Sequence, residues 1–176
     1  MPHIFTGDST DLTTDRLTLR SWTGAEVAAV LGGRRLLDWA ADFPAEGDSV
    51  IASLVDENPC WREPYGQRLI IERTTGLVVG GIGLFRPPDD GQLELGYGVV
   101  PSRRGRGYAV EATLALAEFA LAAKEVRVVF ANVDVANPAS VRVLQKAGFE
   151  RVGESRGSQG ERLARYRTEA HQELSR

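Results

Sequence analysis

The chain has 176 residues, 43 % of them hydrophobic and 26 % charged, with a formal net charge of −3. That length suits one domain, the balance is that of a globular rather than a disordered chain, and the slight negative charge disfavours a duplex-DNA binder relying on bulk positive charge. One cysteine, Cys60, excludes an intrachain disulfide and a thiolate metal cluster, and the two histidines, His3 and His171, are too far apart for a histidine relay or zinc site unless a tail folds in.

Residues 1–13 are polar and read as a flexible N-terminal arm, with no basic and apolar leader pattern. No apolar run approaches the roughly 20 residues that span a bilayer, so a cytoplasmic location is expected. Residues 15–22 alternate, with Leu17 and Leu19 on one face and Arg16, Thr18 and Arg20 on the other, which predicts a strand. Residues 23–33 run from a Thr cap to a Gly-Gly stop and predict a helix. Residues 36–55 predict a second helical stretch, broken at Phe43-Pro44 and restarted near Glu46. Residues 68–73 and 77–85 predict a hairpin, 86–91 a turn, and 92–100 a further strand. Then come a long helix over 105–124, a β-branched strand over 126–133, a helix over 138–147, and strands over 149–154 and 162–168. The order is that of a mixed α/β fold with a largely antiparallel sheet and a helix crossover that can bring two strands parallel. Residues 14–170 read as one domain and 171–176 as a tail.

The informative segment is Glu94-Leu-Gly-Tyr-Gly-Val-Val-Pro-Ser-Arg-Arg-Gly-Arg-Gly-Tyr-Ala109. A strand ends, a glycine loop follows, and a long helix begins. Gly105 and Gly107 admit a ligand close to the backbone. The free N–H groups of the first helical turn and the helix dipole favour an anion, best a phosphate or pyrophosphate. Arg103, Arg104 and Arg106 add charge that can pair with phosphate oxygens. A glycine turn with solvated arginines and an Arg-Gly RNA tract are the competing readings. The second sits poorly between two firm elements. No P-loop is present, since neither lysine, Lys124 or Lys146, follows a glycine. The glycines of 76–83 lead into Phe85-Arg-Pro-Pro rather than a helix, so a dinucleotide fingerprint is also poor.

Arg104-Gly-Arg-Gly-Tyr-Ala109 fits the Gln/Arg-x-x-Gly-x-Gly/Ala signature of the GNAT superfamily of N-acetyltransferases. Asn137-Pro-Ala-Ser140 followed by Gly148-Phe149 resembles the family's Asn-x-x-Ser helix and the strand start after it. The opening Thr14-Asp-Arg-Leu-Thr-Leu-Arg-Ser-Trp22 and Glu94-Leu-Gly-Tyr97 are similar to the branch that holds the ribosomal-protein N-terminal acetyltransferases (Rim-type). The resemblance implies a GNAT-like twisted sheet with a splayed parallel strand pair and acetyl-CoA as cosubstrate. It also implies direct transfer of the acetyl group to a primary amine in a ternary complex, with no metal, nucleic acid or membrane partner. The pyrophosphate would lie on Arg104, Gly105, Arg106, Gly107, Tyr108 and Ala109. The pantetheine arm would lie between the two splayed strands, where a bulge would free N–H groups near Val99 to polarise the thioester carbonyl. A monomer and a homodimer both stay open, as does a non-catalytic acyl-CoA-binding sensor.

Glu94 is either the general base for the attacking amine or a surface carboxylate. It shares a strand face with Gly96 and Gly98, which would leave open space beside it. Asn137 contacts the cofactor arm or only starts a helix. Ser140 approaches the thioester sulfur, as a cofactor contact or an acid, or is a polar residue of the first turn. Leu144 stands where many relatives carry a tyrosine that serves as general acid. A thiol with a pKa of about 8.5 leaves tolerably without one. Tyr97, Tyr108 and Tyr166 read as packing residues. Trp22, Trp39, Phe43 and Trp61 come from the region where this family builds its acceptor pocket, and otherwise are core. One carboxylate and no histidine lean the acceptor toward an α-amine or another amine of low pKa, because deprotonating a lysine costs roughly 3.5 kcal/mol more. The protein N-terminus and small-molecule amines both remain open.

Overall fold

The computed structural model describes residues 11–62 and 64–170. The arm expected over 1–13 therefore lies outside the described residues up to position 10, as does the tail over 171–176. Leu12–Thr13 is a short strand, β1, paired with β2 (Leu17–Ser21). Helix α1 (Gly24–Leu31) opens on a capping box, in which Thr23 accepts from the Glu26 backbone while Glu26 accepts from the Thr23 backbone. Helix α2 spans Glu46–Glu57. Strands β3 (Gln67–Glu72), β4 (Leu77–Asp89) and β5 (Gln92–Val99) follow, then α3 (Tyr108–Leu121), β6 (Val128–Asp134), α4 (Pro138–Lys146), β7 (Glu150–Arg156) and β8 (Arg162–Glu169).

These strands form one eight-stranded sheet in the order β1-β2-β3-β4-β5-β6-β8-β7. All neighbours are antiparallel except β5 and β6, which are parallel as the helix crossover requires. Helix α2 lies over one face of the sheet, with Asp48 above Gly81 of β4. Helix α3 lies over the other, where the Arg68 guanidinium of β3 stacks on Phe119 at 5.2 Å. Both faces being covered, β3 is buried along almost its whole length, and Leu17, Leu19, Leu69, Ile70, Leu84 and Leu116 are fully buried.

Two expectations are corrected. Residues 36–43 are not helical: Trp39 bridges to Val78, and Arg35 holds the chain in turns by donating to the carbonyls of Phe43 and Ala40. Only the part from Glu46 onward is a helix. The turn expected over 86–91 shrinks to its last residues. β4 runs to Asp89, paired with Gln92, and Asp90 and Gly91 both take positive φ, as a tight hairpin needs. Pro87 and Pro88 fit in the strand because the register shifts there and β3 has already ended alongside. Among the described residues no helix is long and apolar enough to cross a membrane.

Candidate active site

β5 and β6 pair only from Gln92↔Val128 to Glu94↔Phe130, although β5 continues to Val99 and β6 to Asp134. Beyond Glu94 the two strands diverge into a V. On its other edge β5 stays in unbroken register with β4 from Leu84↔Leu95 to Gly80↔Val99, and Val100 donates to the Val79 carbonyl. Backbone N–H groups alternate sides along a strand. Those of Gly98 and Val100 therefore face β4, and those of Tyr97 and Val99 face the open V. The bulge expected near Val99 is absent; the divergence of the strands is what frees these donors.

After β5 comes a one-turn 3-10 helix, Pro101–Arg103, and then the glycine loop. Gly105 and Gly107 take φ of 74° and 79°, in the left-handed region that favours glycine, and Gly107 caps α3. The first N–H groups of α3, from Tyr108 onward, have no carbonyl one turn earlier to meet. A cavity of about 460 Å³ opens here, bounded by the loop, by Tyr97–Val99 and by α4. Arg103, Arg104, Arg142 and Lys146 line it, and no carboxylate does. The sequence reading missed Arg142 and Lys146, because their approach to the loop depends on how α4 packs. Asn137 and Ser140 line the same cavity. Asn137 caps α4 by accepting from the Ser140 N–H at 3.2 Å, so it does start a helix, and it also faces the cavity.

The arginines of the loop are not equally available. Glu72, almost fully buried beneath it, accepts from Thr75 Oγ1 at 2.6 Å and the Tyr108 hydroxyl at 2.7 Å, and pairs with Arg103 and Arg106. The Thr75 hydrogen bond leads in holding its carboxyl below the usual range, with Tyr108 and both arginines adding to it. Arg103 still lines the cavity, whereas Arg106, half-exposed and paired with Glu72, does not. Arg16 of the β1–β2 turn, unforeseen, braces the loop from outside. It donates to the Arg106 carbonyl at 2.7 Å, bonds Glu111, and stacks on Tyr108.

A second cavity of about 530 Å³ lies between α2 and the glycine-rich face of β4 and β5. Phe85 and Glu94, Gly83 and Gly96, and Gly81 and Gly98 are opposite pairs along this face. The space beside Gly96 is not open as expected: a Cβ there would come within 2.7 Å of the Phe85 ring. Gly98 alone is clear, with nothing within 4 Å. Phe85 packs edge-on against Trp61 at 6.1 Å, so Trp61 backs the cavity wall. Trp22, Trp39 and Phe43 instead cluster in the core, with Trp39 and Phe43 ring centres 5.1 Å apart. Glu94 lines the cavity, half-buried, and accepts from Asn132 Nδ2 at 3.0 Å, while Asn132 accepts from Arg165 at 3.2 Å. Asp48 of α2 lines it too and was not foreseen.

Tyr97, Gly98, Val99 and Arg104 line both cavities, so the cationic and the acidic chamber share one wall. The Tyr97 hydroxyl ties β5 to α4 by donating to the Ser140 carbonyl at 3.0 Å, and burial pushes its pKa up to about 12, so it stays protonated. Leu144 is fully buried, and Cys60 is exposed and lines neither cavity. A site of this build can hold a phosphate-bearing ligand on one side, direct N–H donors at a carbonyl in the V, and offer carboxylates to a cation on the other.

Residues 16–150 match the family model described as the acetyltransferase (GNAT) domain. A curated relative, the Bacillus subtilis protein titled uncharacterized N-acetyltransferase YjdG, is 34 % identical over 82 residues, covering 46 % of this chain and 49 % of its own. That match spans about half of the relative's length. Among solved structures, a GNAT-family acetyltransferase from Bacillus anthracis aligns with a TM-score of 0.70 at 20 % identity, over 92 % of this chain and 99 % of that one. The RimL ribosomal L7/L12 alpha-N-protein acetyltransferase in complex with coenzyme A aligns with a TM-score of 0.68 at 19 % identity, over 89 % and 95 %. At these identities the likeness is one of fold.

Proposed function

The chain belongs to the GNAT family of acetyl-CoA-dependent acyltransferases, and from that premise we propose that it acetylates a primary amine, a protein N-terminal α-amine or a small-molecule amine, by direct attack in a ternary complex. The observation that carries this reading is the shared wall between a cationic cavity at a helix N-terminus and an acidic cavity beside it. The residues fit acetyl-CoA. Gly105 leaves open space where a Cβ would stand, the N–H groups of Gly107, Tyr108 and Ala109 suit the pyrophosphate, and Arg104, Arg142 and Lys146 suit the phosphates. The Tyr97 and Val99 N–H groups suit the pantetheine arm and the thioester carbonyl. Asn137 and Ser140 contact the arm from α4.

On the acceptor side Glu94 takes the proton from the ammonium, directly or through one water. One of its oxygens accepts from Asn132, and Glu94 lines the cavity. The neutral nitrogen attacks the thioester carbon and the C–N bond forms; the nitrogen's second proton leaves through water for the departing sulfur as the C–S bond breaks, so amide and thiol are the products. The charge passing through the carbonyl oxygen is met by the N–H groups of the V. The departing thiolate needs no strong acid, since its conjugate pKa is about 8.5; Ser140 is the side chain available to contact it.

The test is thiol release from acetyl-CoA with peptides of free N-terminus and with small amines. Glu94→Gln keeps the shape and removes the base. The expected rate at neutral pH is about 10²-fold lower, partly rescued at higher pH as more amine becomes neutral, with acetyl-CoA binding unchanged. Acetyl-CoA binding without thiol release from any amine would make the protein an acyl-CoA sensor instead.

A further inference from the structure

Asp48 is a carboxylate with no place in the reaction above. It is 7 % exposed, and its Oδ2 accepts from the Ala45 N–H at 2.9 Å. No described residue bonds its Oδ1, which lies over Gly81: a Cβ there would stand 3.1 Å away. Gly81 faces Gly98, the open glycine at the wall between the two cavities. Glu94 faces Phe85, four residues along the same strand face, about 13 Å by strand rise. The acceptor cavity thus has a carboxylate toward each end of this strip, and Ile51 and Phe85 also line it.

We propose that Asp48 is a second acceptor-binding carboxylate, and that the preferred acceptor is a diamine, or an amine carrying a further cationic nitrogen a short chain away. This rests on the acetyl-transfer reading of the site. A single ammonium engages one carboxylate and leaves the other desolvated without a counter-ion, which is costly. A dication satisfies both. Among the described residues the one cation lining this cavity is Arg104, and its Nε is taken by the Val99 carbonyl at 2.9 Å. The other charged groups near α2 do not supply one. Glu46 on α2 itself is acidic, Glu26 of α1 is bound to Arg20, and Arg62 lies against Gly24. Burial pushes the Asp48 carboxyl up to about 6, so it is ionised at neutral pH and loses its hold on a cation below that.

The experiment is calorimetric binding of 1,5-diaminopentane and of pentylamine to the wild-type protein, Asp48→Asn and Gly81→Ala at pH 8, each with coenzyme A present. Asparagine can still accept from Ala45, so the helix start is kept; alanine at 81 crowds Oδ1 and leaves the carboxylate in place. The diamine should bind wild type at least tenfold more tightly than the monoamine. Asp48→Asn should remove that preference, Gly81→Ala should reduce it, and neither should change pentylamine binding more than about twofold. Equal affinity of the two amines for wild type, or an unchanged preference in Asp48→Asn, overturns the proposal. Thiol release from acetyl-CoA is measured in parallel. A diamine that binds through Asp48 but releases no thiol overturns acetyl transfer and leaves the Asp48 site standing.

Discussion

Asp48 sits at the third position of α2 and accepts a hydrogen bond from the Ala45 N–H, so it also has a structural reason to exist. The two roles leave opposite marks on stability. Desolvation, the larger effect, outweighs the Ala45 hydrogen bond and raises the folded carboxyl from 3.8 to about 6. An acid whose folded pKa is raised binds protons more tightly when folded. Stability therefore falls as pH climbs from about 4 to about 6, and the full cost, about 3 kcal/mol, is present above that window. Asp48→Asn, which removes the charge and keeps an acceptor for Ala45, is expected to stabilise the protein by up to about 3 kcal/mol at pH 8 and to make little difference at pH 4. Denaturant unfolding at the two pH values measures this. A loss of stability at pH 8 would mark Asp48 as a helix cap and no more. A gain would place it among the groups that serve a site at the expense of the fold.

The elements that bear the site were legible to very different degrees. The glycine loop and the start of α4 could be read directly, because a positive φ at Gly107 and an N-cap at Asn137 are local requirements that the residue type itself reports. The acidic cavity could not. Asp48 reaches this cavity only because α2 crosses over Gly81, and the space at Gly96 is filled by Phe85 from the neighbouring strand. Residues 36–43 have helical composition but are held as turns by Arg35 and by the burial of Trp39 and Phe43. Leu144 has become core, so a tyrosine there would meet packed side chains before it met a thiolate. The local part is tested by a matched pair. Gly33 and Gly107 take φ of 64° and 79°, and alanine at either strains the backbone by about 1–2 kcal/mol. Both variants should melt at lower temperature by similar amounts, yet only Gly107→Ala should weaken acetyl-CoA binding. Equal binding by the two would detach the loop from the cofactor.

At the scale of the whole molecule the sheet is nearly two sheets. Strands β1–β5 and strands β6–β8 are joined by three residue pairs, Gln92↔Val128 to Glu94↔Phe130, and part beyond them. Such a V lets a ligand be bonded by backbone without disturbing either half, because each strand keeps its outer partner, β4 for β5 and β8 for β6. The consequence can be followed amide by amide. Gly98 and Val100 donate toward β4, and the Val100 N–H reaches the Val79 carbonyl at 2.9 Å. Their hydrogen exchange should be slow with or without ligand, since opening them means opening the core pairing. Tyr97 and Val99 donate into the V, where no strand receives them. They should exchange fast in the free protein and slow by at least tenfold when acetyl-CoA is added. The added protection should shrink as salt rises, because the charges of Arg104, Arg142 and Lys146, which line the cavity proposed for the phosphates, are screened. Residue-resolved exchange by NMR with and without acetyl-CoA measures the alternation. Uniform protection of residues 97–100 in both states would mean that the V closes on itself in solution, and the cofactor would then have to lie elsewhere.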